Sequence, residues 1–344
     1  MSRRSEITID LGALRRNVAR MRETAAPAEL WAVVKADAYG HGAVDCARAA
    51  LDAGAAALCV VAAQEGAALR AALPDARILV MAPLAAGEDE IAHAERLEVA
   101  ISSPAVPEGL PLHLKVDTGM GRWGMSAEEA RSVPRASVVG LMSHFATADE
   151  DDQTYARAQV ARFRELVDEF DGVPAHIANS AATLSLPDAR FDAVRCGIAL
   201  YGISPAGNDP TRHGLEPVLS WRSYVALVKP LAAGESVGYG RLFVAERPTR
   251  VGIVPVGYAD GFRRGLTGTE VLVDGSRRRV VGAISMDALA VELGEEEEQG
   301  APVTLIGDGI LVEEHARVLG TINHDITCGI RSDPRRASRI VRDG

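Results

Sequence analysis

The sequence predicts an α/β fold, a (β/α)8 TIM-type barrel followed by a mostly β C-terminal domain. Three observations predict it. Short apolar runs recur between Ala-rich helical stretches up to about Leu215, and each run is continuous rather than alternating, as in a strand buried on both faces. About eight such β/α repeats suit a closed barrel, and no GxGxxG follows the first strand, which disfavours an open doubly wound sheet. Beyond Leu215 the pattern changes to Val-rich segments separated by Gly and Pro, the mark of short antiparallel strands.

Barrel strands are expected near Leu30–Val34, Ala57–Val61, Ile78–Met81, Val99–Ile101, Leu112–Val116, Val138–Met142, His176–Ala178 and Ala193–Arg195. Helices are expected at Val44–Ala53, Ala62–Ala72, Glu88–Arg96, Ala127–Ser132 and Asp152–Phe170. The last has Asp151 and Asp152 to cap it, with Gly172 and Pro174 beyond its end. Between Ile101 and Leu112 the stretch SSPAVPEGLP carries three prolines and is too short for a crossover helix, so the fourth helix is expected to be reduced to a turn. VLVDGSRRRVV reads as a hairpin turning at Asp274-Gly275. Glu295–Glu298 reads as a solvated loop. The expected division is a barrel over residues 10–216 and a β-rich domain over 217–344, joined by an N-terminal strand at 5–10.

The 344 residues are 47% apolar, enough for a sizeable core, and carry a net charge of −10. That charge excludes the basic stripe of a general nucleic-acid binder and suits a cytoplasmic enzyme. The two arginines near the N-terminus precede no apolar targeting segment, and no apolar run reaches the ~18 residues of a membrane span. Four dispersed cysteines with no CxxC pair argue against a disulfide framework and against a metal site.

In a barrel, chemistry collects where strands end. The first strand ends in Lys35, within LWAVVKADAYGHG; a lysine there is either a solvated cap or a reactive amine. Asp117 to Arg122 follow the fifth strand, His144 the sixth, Asn179-Ser180 the seventh, and Arg195-Cys196-Gly197 sit at the eighth. Small and hydroxyl residues after the last two strands suit a phosphate, whose oxygens exposed backbone N–H groups can cradle. An amine across a barrel mouth from such a cradle suggests pyridoxal phosphate, held as a Schiff base.

AVVKADAYGHG, HLKVDTGMGRWG, SHFATAD, ANSAAT, VRCGIALYG, GYADG and VGAISMD, in this order from Asp10 to about Asp333, together resemble the alanine racemase family. The resemblance implies a pyridoxal-phosphate isomerase that interconverts L-alanine and D-alanine by two-base proton transfer, supplying D-alanine for cell-wall peptidoglycan. It implies that Lys35 carries the cofactor and is one base. Tyr258, in GYADG, is the opposite base, contributed across the interface of a homodimer. Tyr39, Ser180, Gly197 and Ile198 would contact the phosphate, with Asn179 shaping their loop. Arg195 would face the pyridine nitrogen, and His144 would lie between Arg195 and the tyrosine. Arg122 and Met286 would hold the substrate carboxylate. Lys115 matches a position that is carbamylated in some members, and an unmodified lysine is the default.

The chain departs from the family pattern in places. His324, in TINHDITCG, stands where the family carries a phosphate-contacting tyrosine. Ser285 replaces a frequent cysteine, and Ala283 a common basic residue. Alternatives are a broader racemase acting on serine, which pocket width would decide, and a non-catalytic pyridoxal-phosphate carrier. A decarboxylase of the same architecture leaves GYADG and Arg195 unexplained.

Overall fold

The structure, a computed structural model, describes residues 3–343. It divides into two compact units. One comprises Leu14–Ala206 and Pro210–Glu216; the other comprises the N-terminal stretch to Ala13, Gly207–Asp209, and the chain from Pro217 onward.

The chain begins with β1 (Ser5–Asp10) and α1 (Leu11–Ala25). A closed parallel barrel then forms from β2 (Glu29–Val33), β3 (Ala57–Val60), β4 (Ile78–Val80), β5 (Glu98–Ile101), β6 (Leu112–Lys115), β7 (Val138–Met142), β8 (Ala175–His176) and β9 (Ala193–Cys196). β9 pairs back onto β2 through Leu30↔Val194 and Trp31↔Arg195. Every residue of β3, β6 and β9 is buried, because helices cover the outside while side chains fill the inside. That double burial is why the strands read as unbroken apolar runs.

The connections are α2 (Lys35–Gly40), α3 (Ala43–Asp52), α4 (Ala63–Ala72), α5 (Glu88–Ala94), α6 (Ala127–Ser132), α7 (Thr154–Glu169) and α8 (Ser180–Ser185). No helix lies between β5 and β6, as the prolines there require. α6 starts in a capping box: Ser126 Oγ accepts from Glu129 N–H at 3.1 Å, and Ser126 N–H donates to Glu129 Oε2 at 2.8 Å. At the start of α7, Asp152 accepts the N–H of Thr154 at 2.9 Å.

The second unit holds a nine-stranded sheet ordered β11-β14-β17-β16-β15-β18-β10-β1-β19. Its strands are β10 (Leu219–Tyr224), β11 (Leu227–Leu231), β14 (Thr249–Val254), β15 (Glu270–Val273), β16 (Ser276–Val281), β17 (Leu289–Leu293), β18 (Pro302–Ile306) and β19 (Ala337–Arg342), joined by β1. The small ribbon β12 (Ser236–Val237) and β13 (Phe243–Val244) accompanies it, with α9 (Val312–Leu319) and α10 (Asn323–Cys328). The β15–β16 hairpin turns at Asp274 (φ 47°) and Gly275 (φ 80°), the two positive φ values of a type I′ turn. β1 lies between β10, antiparallel, and β19, parallel. The expected solvated loop at Glu295–Glu298 needs one correction: Glu297 is 6% exposed, and Arg278 Nε donates to its Oε1 at 2.6 Å. A guanidinium at that point pulls one carboxylate of the run inward.

Candidate active site

The first barrel loop is conformationally unusual. Directly after Lys35, residues Ala36, Asp37, Ala38 and Tyr39 all adopt left-handed backbone angles, with φ of 51–56°. Each costs about 1–2 kcal/mol for a non-glycine residue, so the turn must be imposed from outside. Glu65 Oε1 accepts the Ala36 N–H at 2.7 Å, and Asp37 Oδ1 accepts the Ala43 N–H at 2.7 Å. Gly42 N–H donates to Asp37 O at 2.9 Å, and Ala38 N–H donates to Val34 O at 2.9 Å. His41 Nδ1 lies 3.0 Å from Ala38 O and 3.1 Å from Tyr39 O. The turn leaves Lys35 partly buried at the end of β2 and buries Tyr39 beside Tyr201, with ring centroids 5.0 Å apart.

Tyr39 packs on the loop that follows β9. A Cβ at Gly197 would fall 2.3 Å from the Tyr39 hydroxyl, so any larger residue forces the loop or the phenol to shift. Ser180 Oγ accepts the Gly197 N–H at 3.0 Å and the Ala199 N–H at 3.4 Å. Asn179 caps α8 by accepting the Ala182 N–H at 2.9 Å, which holds Ser180 in place. Ile198, 3% exposed, opens a short 3-10 turn. A phenol, a hydroxyl and a bare glycine backbone thus converge at the ends of β8 and β9, a polar cradle suited to an anion.

Arg195, 3% exposed, lies at the heart of the mouth. Its Nη1 donates to His176 Nδ1 at 2.6 Å and His176 O at 2.9 Å. Its Nη2 donates to Ser143 O at 2.7 Å, His144 Nδ1 at 3.2 Å and Ile177 O at 3.3 Å. Burial pulls Arg195 down to about 10, so it stays charged at neutral pH. His144 is pushed well below the usual histidine range, first by burial and then by the charges of Arg195, Arg122, Lys115 and Lys35. Burial and the same neighbouring cations lower Lys115 to about 7; its Nζ donates to Met81 O at 2.9 Å. Lys115 and the exposed Arg122 both approach Trp123, at 5.1 and 5.4 Å from its ring centroid. The Arg122 loop is fastened by Asp117, whose carboxylate accepts the N–H groups of Gly119, Met120 and Gly121. A mouth with this many cations attracts an anionic ligand and favours neutral bases.

The remaining candidates belong to the second unit, where they form one group. Tyr258 N–H donates to Ser285 O at 3.1 Å, and Ala259 N–H donates to Met286 O at 3.1 Å, so the Tyr258 and Met286 loops are zipped together. A Cβ at Gly257 would lie 2.3 Å from Ser285 O, which explains the glycine. Asp260 accepts the Gly257 N–H at 2.9 Å, closing the GYADG turn. Arg263 links this loop to the helix of His324 through Asp325, at 3.1 Å. Tyr258 and Met286 are 39% and 53% exposed, so both side chains are accessible on their unit.

Sequence reasoning missed His113, His176, Glu98 and Arg336. A signal existed for His113: HLK places His113 and Lys115 two apart on one strand, and both therefore face the same side of the barrel wall.

The family model for the alanine racemase N-terminal domain matches residues 9–205, and that for the C-terminal domain matches 218–338. Alanine racemase of Streptomyces coelicolor is 43% identical, the alignment covering 96% of this chain and 94% of that protein. The crystal structure of alanine racemase from E. faecalis superposes with a TM-score of 0.91 at 34% identity, over 99% of both chains. Alanine racemase from Bartonella henselae, solved with covalently bound pyridoxal phosphate, gives 0.91 at 29% identity, over 98% of this chain and 99% of that one. Sequence and architecture agree along nearly the whole length, and the chain belongs to the alanine racemase family of isomerases.

Proposed function

We propose that this enzyme interconverts L-alanine and D-alanine with pyridoxal phosphate, in the cytoplasm, making D-alanine for cell-wall peptidoglycan. The observation that carries this reading is the Tyr39–Gly197–Ser180 cradle, in a barrel mouth that also presents Lys35 and a buried Arg195. These residues fit the cofactor. Tyr39, Ser180 and the backbone of Gly197 and Ile198 would hold its phosphate, Lys35 its aldehyde carbon, and Arg195 its ring nitrogen, with His324 a further phosphate partner. Bound there, pyridoxal phosphate would supply an aldehyde carbon for the substrate amine and a ring able to withdraw electrons from Cα.

The protein then has to move a proton between two faces of one carbon, which takes two bases. Lys35 Nζ takes or returns the proton on one face. The hydroxyl of Tyr258 of the partner subunit serves the other, so a homodimer is part of the proposal. Neutral His144, whose Nδ1 accepts from Arg195, carries its proton on Nε2 and can donate a hydrogen bond from there to that tyrosine oxygen; together with charged Arg195 it stabilises the deprotonated form of the tyrosine. Arg195 keeps its own protons at neutral pH and so does not protonate the ring, which limits electron withdrawal and favours prompt return of the proton. Arg122 and the amide of Met286 of the partner subunit, carried on the loops zipped to Tyr258 of the partner subunit, would orient the substrate carboxylate.

The test is incubation with L-alanine in deuterated water, following circular dichroism and Cα deuteration. Racemisation with deuterium uptake supports the reading; a cofactor absorbance without turnover points to a carrier. Lys35→Ala should abolish the absorbance, and Tyr258→Phe should keep it while suppressing turnover.

A further inference from the structure

A chain of hydrogen bonds runs through the barrel interior from Arg195 to Glu98, which begins β5. His176 Nε2 lies 2.8 Å from His113 Nδ1, and His113 Nε2 lies 2.8 Å from Glu98 Oε2. Arg77 clamps the far end, donating from Nε to Glu98 Oε1 at 2.7 Å and from Nη2 to Oε2 at 3.0 Å. Both rings are fully buried. Trp31 walls the chain, with the His176 ring 4.5 Å from its own and the Arg77 guanidinium 4.5 Å from its centroid. β7 makes room for it: a Cβ at Gly140 would fall 2.2 Å from His113 Nδ1.

The proton positions follow from chemistry. A guanidinium only donates, so His176 Nδ1 must offer its lone pair to Arg195. The single proton of a neutral His176 then sits on Nε2 and points at His113 Nδ1, which accepts. The proton of His113 therefore sits on Nε2 and points at Glu98. The opposite order would set two donors against each other at 2.6 Å. Burial lowers both histidines, in keeping with neutral rings. Burial would raise Glu98, but the hydrogen bonds of His113 and Arg77 bring it down to about 2, so it carries a full charge.

Among the described residues, no carboxylate contacts Arg195; its acceptors are two neutral imidazoles and three carbonyls. We propose that Glu98, at the opposite end of the barrel strands from the mouth, is a positioning residue that acts on Arg195 through His113 and His176. Its charge polarises the two rings in series, which makes His176 Nδ1 a stronger acceptor and holds the buried guanidinium charged and in one orientation. The consequence for turnover rests on Arg195 having the role proposed above; the chain itself does not.

The test uses the cofactor-loaded enzyme labelled with 15N-histidine. Wild type should show His113 and His176 as neutral Nε2–H tautomers that do not titrate between about pH 6 and 9. Glu98→Gln keeps an oxygen acceptor and removes the charge. It should move the ring N–H proton resonances of both histidines upfield, including His176, which Glu98 does not touch. It should also lower kcat by roughly 3- to 30-fold with KM nearly unchanged. Glu98→Ala should do the same more severely, with thermal unfolding reporting any loss of folded protein. A proton on Nδ1 of either ring in wild type overturns the proposal. So does a folded Glu98→Gln enzyme whose His176 resonance is unmoved and whose kcat is within about twofold of wild type. If wild type does not racemise alanine at all, the reading of function fails while the tautomers still decide the chain.

Discussion

Arg336 grips both carboxylate oxygens of Asp260, at 2.6 and 2.8 Å, two residues beyond Tyr258 in the same tight turn. The same guanidinium reaches Asp287 at 2.9 Å, directly after Met286. One side chain from the end of the chain thus ties together the two loops that carry Tyr258 and Met286. Arg336→Met should leave Asp260, 4% exposed, without its partner. The expected cost is about 2–3 kcal/mol, less than for a fully buried pair because Arg336 is partly exposed. Calorimetry measures that loss. Steady-state kinetics on the folded variant should show a fall in kcat, because the tyrosine loop loses its anchor. Unchanged kcat would show that the turn holds itself.

Lys115 gives a pH dependence with a definite sign. Its folded value is about 7, against about 10.4 in an unfolded chain. Between those values the unfolded chain holds a proton that the folded chain has released, so this group makes stability rise with pH across that window. Below pH 7 the charge stays buried and its penalty is complete. Lys115→Met should therefore gain on wild type most at pH 6, and the difference should narrow toward pH 10 by an amount on the order of a few kcal/mol. Denaturant unfolding at several pH values measures this; a difference independent of pH would contradict a lowered lysine.

Gly197→Ala sets a methyl group 2.3 Å from the Tyr39 hydroxyl. One of the two must shift, which disturbs the cradle. Cofactor affinity, read by absorbance titration, should weaken by roughly tenfold, equivalent to ~1.4 kcal/mol. Adding Tyr39→Phe should recover packing but not the lost hydroxyl contact, so affinity should return only in part.

Ala36→Gly inverts the usual effect of glycine in a helical turn. Ala36 is exposed with φ at 51°, where glycine carries no steric penalty. Relief of strain outweighs the added freedom of the unfolded chain, for an expected gain of about 0.5–1 kcal/mol. A loss of stability of the same size would mean that the turn is not left-handed at that residue.

The barrel was legible because a parallel strand covered on both faces must be apolar throughout; the runs around Trp31, Leu58 and Val194 show it. Lys35, His144 and Arg195 were legible because strand ends interrupt those runs with polar residues. Glu297 was not legible: its burial depends on Arg278, which reaches it from β16 while Glu297 itself lies in the loop between β17 and β18. The left-handed turn was hidden for a similar reason. ADAY carries no glycine to mark it, and Glu65, 29 positions after Ala36, helps to impose it.

The sequence by itself determined the strands, the turns at Asp274-Gly275, the missing helix between β5 and β6, and the polar residues at the strand ends. Each of these follows from local chemistry: burial periodicity, positive φ, or a proline ring. Only the tertiary structure decided that Arg195, His176, His113 and Glu98 form one chain, and that Arg336 closes on Asp260 across 76 positions. Those pairings join residues far apart in sequence, and closing the barrel and folding the sheet bring them within a hydrogen bond of each other. Once there and away from water, each donor needs an acceptor, and that demand sets which nitrogen of each buried histidine carries its proton.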